Sequence, residues 1–216
     1  MLSEDPLLLN EPQLQRLLRY FDESQSVSGK RIPHPDGKVD AITRQAGRTF
    51  RKASVLIPIL RPSSSKPSQI VLTVRSPELT SHGGQVSLPG GTREPHDANE
   101  IMTALREAEE EIGLAPESVQ VIGLLGQILL PSGFEVTPVI GLIGPTPELR
   151  PCPIEVNEIF TVPTAMLMDP GSYRETAMEY QGSERTVLEL HYEGFRVWGA
   201  TAAILHHLAR EISSPD

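Results

Sequence analysis

The chain has 216 residues, 38% hydrophobic and 22% charged, which is enough for one substantial core and a small appendage. Its net charge of −9 and pI near 5.2 argue against a surface built for nucleic-acid backbones, which shows a basic domain or stripe. Cys152 is the only cysteine, so an intrachain disulfide is excluded, and no apolar run approaches the roughly 18 residues needed to span a bilayer.

Cys152 reads as a packing thiol in a reducing compartment. The start, Met1-Leu2-Ser3-Glu4-Asp5, lacks the basic opening of a secretory signal, and Ser213-Ser214-Pro215-Asp216 matches no address signal. A cytoplasmic protein with no nucleic-acid or membrane partner is the expectation. The lysines, Lys30, Lys38, Lys52 and Lys66, fall in the first third with Arg31, Arg44, Arg48, Arg51 and Arg61. This cluster is either a loosely ordered, solvated basic segment or one that reaches an anionic ligand.

Leu14, Leu17, Leu18 and Phe21 recur at helical spacing and predict a short amphipathic helix over 12–22. Ser24 to Gly47 is polar and broken by Gly29, Pro33, Pro35 and Gly37, the pattern of a linker or mobile loop. Strands are predicted at 53–60 and 69–74 around a Pro- and Ser-rich turn, then a short extended piece at 85–88 leading into Pro89-Gly90-Gly91. Further strands are expected at 119–125, 136–143, 158–162, 186–192 and 195–198. A last helix begins near Thr201 on the stripe Ala202, Leu205, Leu208, Ala209 and Ile212, with His206 and His207 as surface or rim residues. Mixed strands with separated helices point to an α/β sandwich, a sheet covered on both faces.

Between those strands, Arg106-Glu107-Ala108-Glu109-Glu110-Glu111-Ile112-Gly113-Leu114 places Glu107, Glu110 and Glu111 on one helical face. Like charges three and four apart each cost about 0.2–0.5 kcal/mol, and the negative end of the helix dipole disfavours anions by about 0.3–1 kcal/mol more. A cation should therefore sit there, and hard oxygen ligands suit Mg²⁺ or Mn²⁺. A solvated acidic face is the plain alternative; it explains Glu109 but not the others, for which Arg106 is the only nearby cation. Asp97 is the expected N-cap, with Glu100 reaching back to it, and Gly113 the expected stop. Ile101, Ala104, Leu105, Ala108 and Ile112 form the packing flank, roughly 120° from the acidic one. Ahead of the helix, the glycine-bracketed run Gly83-Gly84-Gln85-Val86-Ser87-Leu88-Pro89-Gly90-Gly91 lets backbone approach a ligand closely.

These residues resemble the Nudix hydrolase family, whose box reads glycine, five residues, glutamate, seven residues, then Arg-Glu-hydrophobic-x-Glu-Glu-x-Gly-hydrophobic. Arg106, Glu107, Ala108, Glu110, Glu111, Gly113 and Leu114 match its second half. The first half departs: counting from Gly91, Asp97 stands in the glutamate position, separated from Arg106 by eight residues rather than seven, and is given no metal role. A narrower resemblance, to coenzyme A pyrophosphatases, covers about residues 51–212. Leu72-Thr73-Val74-Arg75-Ser76, Leu79, His82, Gly84-Gln85-Val86 and Pro89-Gly90-Gly91 look like their signature, except that Thr80 replaces a common arginine and Leu88 an aromatic. Similar stretches continue at 133–139, 155–156 and 195–202.

The resemblance implies a Nudix-type α/β/α sandwich with a mixed sheet over 51–212, a short N-terminal helical extension and linker over 1–50, and a tail over 213–216. It implies Mg²⁺- or Mn²⁺-dependent hydrolysis of a nucleoside diphosphate derivative: coenzyme A or its thioesters, or alternatively ADP-ribose, a dinucleotide or a nucleoside diphosphate sugar. A non-catalytic nucleotide-sensing domain is a third reading, which the intact carboxylates oppose. The implied metal ligands are Glu107 and Glu111, with Glu110 assisting and the Gly91 carbonyl completing the set, while Arg106 orients a carboxylate. The general base is Glu155 or, second, Glu158, each with an ordinary loop carboxylate as alternative. His82 is a possible base or phosphate donor, or positions the Gly90-Gly91 loop, and Arg75 and Gln85 are substrate contacts. Many related enzymes form homodimers, so the resemblance implies a homodimer in which the N-terminal helix could take part.

Overall fold

A computed structural model describes residues 10–23, 31–45, 47–180 and 182–213. The extreme N-terminus, Lys30 and the last three residues, on which some of the readings above rest, lie outside the described residues.

Helix α1 (Pro12–Glu23) and the short α2 (Gly37–Thr43) precede the first long strands, β1 (Arg51–Leu60) and β2 (Gln69–Arg75). Two short strands, β3 (Val86–Ser87) and β4 (Gly90–Thr92), lead into α3 (Glu100–Ile112). Then come β5 (Gln120–Leu124), β6 (Ile128–Leu129), β7 (Phe134–Ile143), β8 (Val156–Pro163) and the single turn α4 (Thr164–Leu167). The chain closes with β9 (Arg174–Tyr180), β10 (Ser183–Tyr192), β11 (Phe195–Trp198) and α5 (Gly199–Ser213).

The main sheet runs β3-β2-β1-β7-β5, with β4 also on β1, β6 on β7 and β8 on β2. It is mixed because β1 and β7 are parallel while the other pairings are antiparallel. Period-two alternation sends Leu56, Leu60, Val71, Val139 and Ile143 to one face, where Ala104, Ala108 and Ile112 of α3 cover them. Ile57, Ile59, Ile70, Leu72, Ile140 and Leu142 go to the other, under α1 and α5. This is the expected α/β/α sandwich. A second sheet, β11-β10-β9, packs its Leu188, Leu190 and Val197 into the same large core.

Helix α1 forms as its spacing predicts, and Leu14, Leu17 and Phe21 are buried against the rest of the chain. Tyr20 Oη donates to Glu211 Oε2 on α5 at 3.0 Å, so the helix spends its apolar face inside its own chain. Ser24–Gly47 is not all irregular: Asp36 caps α2, its Oδ1 accepting from Lys38 N and Val39 N at 2.8 and 3.2 Å. The basic cluster is also partly structured, with Arg31 and Arg44 paired to Asp40 and Arg51 placed 4.2 Å over the Phe134 ring. Strand β9 was not foreseen, and α5 starts at Gly199, earlier than expected. His206 is half-buried and its ring lies 5.1 Å from that of Tyr173. Among the described residues no helix is long and apolar enough to cross a membrane.

Candidate active site

The start of α3 differs from expectation. Its N-cap is Asn99, whose side chain accepts from Met102 N at 3.0 Å, and Asp97 lies outside the helix. Asn and Asp are comparably good caps, and Asn99, two residues on, takes the place expected of Asp97. Asp97 is buried and used otherwise: its Oδ2 accepts from Glu94 N at 2.9 Å, and both carboxylate oxygens accept from Arg106. The other end is as expected, with Gly113 left-handed at φ +67° and its N–H donating to the Glu109 carbonyl.

Arg106 is the hub of the acidic helix. Its Nε and Nη2 hold Asp97, Nη2 also donates to the Thr92 carbonyl at 3.0 Å and lies 3.0 Å from Glu107 Oε1, and Nη1 donates to Glu110 Oε2 at 3.2 Å. The three acidic residues therefore differ in environment. Glu110 is exposed and answered by the arginine, Glu107 is half-buried, and Glu111 is buried at 2% exposure.

Glu111 is held from two sides. Gly90 N donates to its Oε2 at 3.0 Å and Arg75 Nη1 lies 3.6 Å from its Oε1. Burial still pushes its carboxyl up to about 7, with the Glu107 and Glu155 charges adding to the rise against Gly90 and Arg75. Burial likewise raises Glu107, partly offset by Arg106. Two desolvated carboxylates that resist ionisation side by side are a place where a divalent cation would reverse the electrostatics.

The backbone fits closely around them. Strand β4 lies on β1 with Gly91 opposite Ser54, and a Cβ at Gly91 would stand 2.6 Å from Glu107 Oε2. Glycine at 91 is thus what allows the strand and the carboxylate to share this space. Among the described residues no three His, Cys, Asp or Glu side chains converge into a preformed cage; the donor set is two carboxylates beside glycine backbone. That set suits Mg²⁺ or Mn²⁺, which bind through few carboxylates and keep waters and phosphate oxygens as remaining ligands.

The loop after β7 is tied to the helix end. Arg150 N and Cys152 N donate to the Ile112 and Glu111 carbonyls at 2.9 Å each, satisfying acceptors that a helix end leaves open. Ser76 N donates to the Glu155 carbonyl at 2.8 Å, so Glu155 is joined to the strand that carries Arg75 and is close enough to raise both Glu107 and Glu111. Glu158 lies further on, exposed in β8 opposite Val74. Val74 opposes Glu158 while Arg75 opposes Val156, so Asn157 is an extra residue, and such a bulge re-aims the side chains around it.

Arg75 and Gln85 close a hairpin through Arg75 N to the Gln85 carbonyl at 2.9 Å. His82, exposed and at φ +60°, places Nδ1 3.0 Å from Gln85 Oε1. Its hydrogen-bond partner is therefore Gln85 and not the Gly90-Gly91 strand. Asp97, as the anchor of Arg106, is the residue whose role sequence reasoning mistook; the available signal was a lone arginine among carboxylates needing a countercharge.

The fold and site define a mixed α/β domain that presents helix-borne carboxylates to a glycine strand. Residues 50–164 match the NUDIX domain family. The uncharacterised Nudix hydrolase NudL of Photorhabdus laumondii is 41% identical over 162 residues, 75% of this chain and 85% of its own. That of Escherichia coli K12 is also 41% identical, over 75% of this chain and 83% of its own. Among solved structures, the Nudix hydrolase RenU from M. smegmatis superposes with a TM-score of 0.51 at 21% identity, covering 78% of this chain and 95% of that one. The chain belongs to the Nudix hydrolase family, whose members generally use divalent metal ions.

Proposed function

We propose that this hydrolase cleaves the diphosphate of coenzyme A or its thioesters to 3′,5′-ADP and 4′-phosphopantetheine or its acyl form. The observation that carries the reading is the pair of desolvated carboxylates, Glu107 and Glu111, against Gly90-Gly91 with Arg75 beside them. The run Leu72-Thr73-Val74-Arg75-Ser76 through Pro89-Gly90-Gly91 supports the coenzyme A assignment. The catalytic unit in this reading is residues 51–212, and the working form is a homodimer, which sedimentation at varied concentration would test.

Glu107 and Glu111, with Glu110 assisting and the Gly91 carbonyl, would hold Mg²⁺ or Mn²⁺. The chemistry supplied by the ion when bound is neutralisation of charge on the diphosphate oxygens and acidification of a water. Arg106 keeps Glu107 in place through its fork to Asp97. Arg75 leaves Glu111 for a substrate phosphate, Gln85 contacts the substrate, and His82 fixes Gln85. Glu155 takes the proton from the attacking water, with Glu158 as the second candidate.

The absence of arginine at Thr80, an exposed position, favours a second reading in which ADP-ribose, a dinucleotide or a nucleoside diphosphate sugar is preferred. A substrate panel with Mg²⁺ and Mn²⁺, resolved by product chromatography, separates the two. Release of 3′,5′-ADP with the highest kcat/KM on coenzyme A or a thioester supports the first; no release beside turnover of another nucleotide sinks it.

A further inference from the structure

Away from the acidic helix lies a cavity of about 320 Å³, within the roughly 300–1,000 Å³ usual for small-molecule sites. It is walled by α2, by Pro131 in the turn before β7, and by the β9–β10 hairpin. Val39, Met178 and Val187 give it apolar sides, and Arg48 and Arg185 are the two cationic residues of its lining. None of these residues belongs to the carboxylate site.

The cavity is built by a specific long-range bond. The buried carboxylate of Asp36, besides capping α2, accepts from Thr186 N on β10 through Oδ2 at 3.1 Å, which clamps the helix to the hairpin. Met178 and Arg185 are direct cross-strand partners and both reach the cavity. Glu179 and Glu184 form the next pair, and strand alternation turns them to the opposite face.

The nearby acids are already committed. Asp36 is bound by three backbone N–H groups, and Asp40 accepts from His34 N and pairs with Arg31 and Arg44. His34, also on the cavity wall, accepts from Asp36 N through Nδ1 at 3.0 Å, which fixes its neutral tautomer while that bond holds. Among the described residues neither Arg48 nor Arg185 has a carboxylate within about 4 Å, the ion-pairing range, although the Arg185 charge helps keep Asp36 ionised; Arg48 Nη1 donates weakly to the Ile42 carbonyl at 3.5 Å and its guanidinium lies 5.9 Å from the centre of the Phe50 ring. Two guanidinium groups beside an apolar chamber match a dianion attached to an apolar body.

We propose that this cavity is a second ligand site, separate from the carboxylate site, for a small phosphomonoester with an apolar body. The site stands on its own residues and does not depend on the coenzyme A reading. Phenyl phosphate, inorganic phosphate and benzyl alcohol would be titrated into the full chain by calorimetry with chelator present. Phenyl phosphate should bind saturably, inorganic phosphate at least tenfold more weakly, and benzyl alcohol not at all. The double substitution Arg48→Gln/Arg185→Gln should weaken phenyl phosphate at least tenfold while leaving the melting temperature unchanged, and Glu111→Gln should leave its affinity intact. The inference is overturned if phenyl phosphate fails to saturate the native chain, if its binding survives the double substitution, or if Glu111→Gln abolishes it. Equal affinity for inorganic phosphate would overturn the apolar chamber's part in recognition.

Discussion

Arg106 grips Asp97 with two parallel bonds, Nε to Oδ1 at 3.1 Å and Nη2 to Oδ2 at 3.0 Å, across the turn that leads into its own helix. Hydrogen bonds from Arg106 hold the Asp97 carboxyl well below the usual range despite its burial. The same guanidinium touches Glu107 and the Thr92 carbonyl, so the fork joins the acidic helix to strand β4. Asp97→Asn removes the charge and one acceptor oxygen from a buried pair. We expect a loss of about 1–3 kcal/mol by denaturant unfolding, the usual cost of an unsatisfied buried partner. Turnover should fall with it, because Arg106 would then be free to shift against Glu107. Arg106→Lys should behave alike, since an ammonium cannot reproduce a bidentate fork. Wild-type stability and turnover in both variants would show the fork to be incidental.

Glu111 is buried with a carboxyl pushed up to about 7, so folding of the metal-free protein disfavours its charged form. Glu111→Gln keeps an oxygen for the Gly90 N–H and removes that charge. In chelator the variant should therefore melt no lower than the parent. Binding at a hundred times Kd adds about 2.7 kcal/mol to a folded state, so Mn²⁺ or Mg²⁺ should raise the parent's melting temperature and leave the variant's nearly unmoved. Turnover should fall by more than the roughly 10–100-fold that even outer partners of a metal site cost. A variant that stays fully active, or whose melting still responds to metal like the parent's, removes Glu111 from the mechanism.

Why some of this was readable in the chain and some not follows from the range of the interactions involved. The stop at Gly113 and the packing stripe Ala104, Ala108, Ile112 are local consequences of helix geometry, and spacing alone reveals them. The acidic run exposed its own electrostatic problem, but not that Glu111 is buried while Glu110 is answered by Arg106, since that depends on β4 arriving from elsewhere. Helix α2 follows Pro35 and opens on Gly37, and its Asp36 cap is completed by Thr186, a partner 150 residues away. Strand β9 reads Arg-Glu-Thr-Ala-Met-Glu-Tyr, too polar to announce a core strand, because it is an edge of the small sheet.

The two loop carboxylates differ enough for a kinetic test. Glu155 lies close enough to raise Glu107 and Glu111, whereas Glu158 is exposed on β8. Loss of a general base costs about 10²–10⁴ in rate. Glu155→Gln should therefore lower kcat by that order with little change in KM, and Glu158→Gln should change neither by more than severalfold. The reverse pattern would transfer the role to Glu158.

On the outer face of the small sheet, buried Glu189 accepts from Arg196 Nε at 2.6 Å and Arg174 Nε at 2.8 Å. Desolvation raises its carboxyl, but the hydrogen bonds and charges of the two arginines outweigh it and leave it below the ordinary range. A carboxyl depressed by folding contributes stability that is present above its unfolded value, about 4.3, and is lost as pH falls through the folded value. Glu189→Gln should therefore destabilise the chain at pH 7, with the gap to the parent narrowing below about pH 4. Thermal melts of both proteins across pH 3–8 check this; a gap that is constant with pH would mean that packing, not charge, carries the effect.

Gly91 links the glycine strand to the acidic helix through space alone. A methyl group there would stand 2.6 Å from Oε2 and 2.8 Å from Oε1 of Glu107. Contacts that close are not tolerated, so in Gly91→Ala either the carboxylate turns away or β4 shifts on β1. Glu107 is half-buried and held by Arg106, but its side chain moves more easily than a paired strand. The fold should therefore survive with a loss of about 1–3 kcal/mol, the range for overpacking, while metal affinity falls at least tenfold. Calorimetric titration with Mn²⁺, set beside a thermal melt in chelator, distinguishes the two responses. Retained Mn²⁺ affinity with a large drop in melting temperature would mean that the strand moved and Glu107 did not.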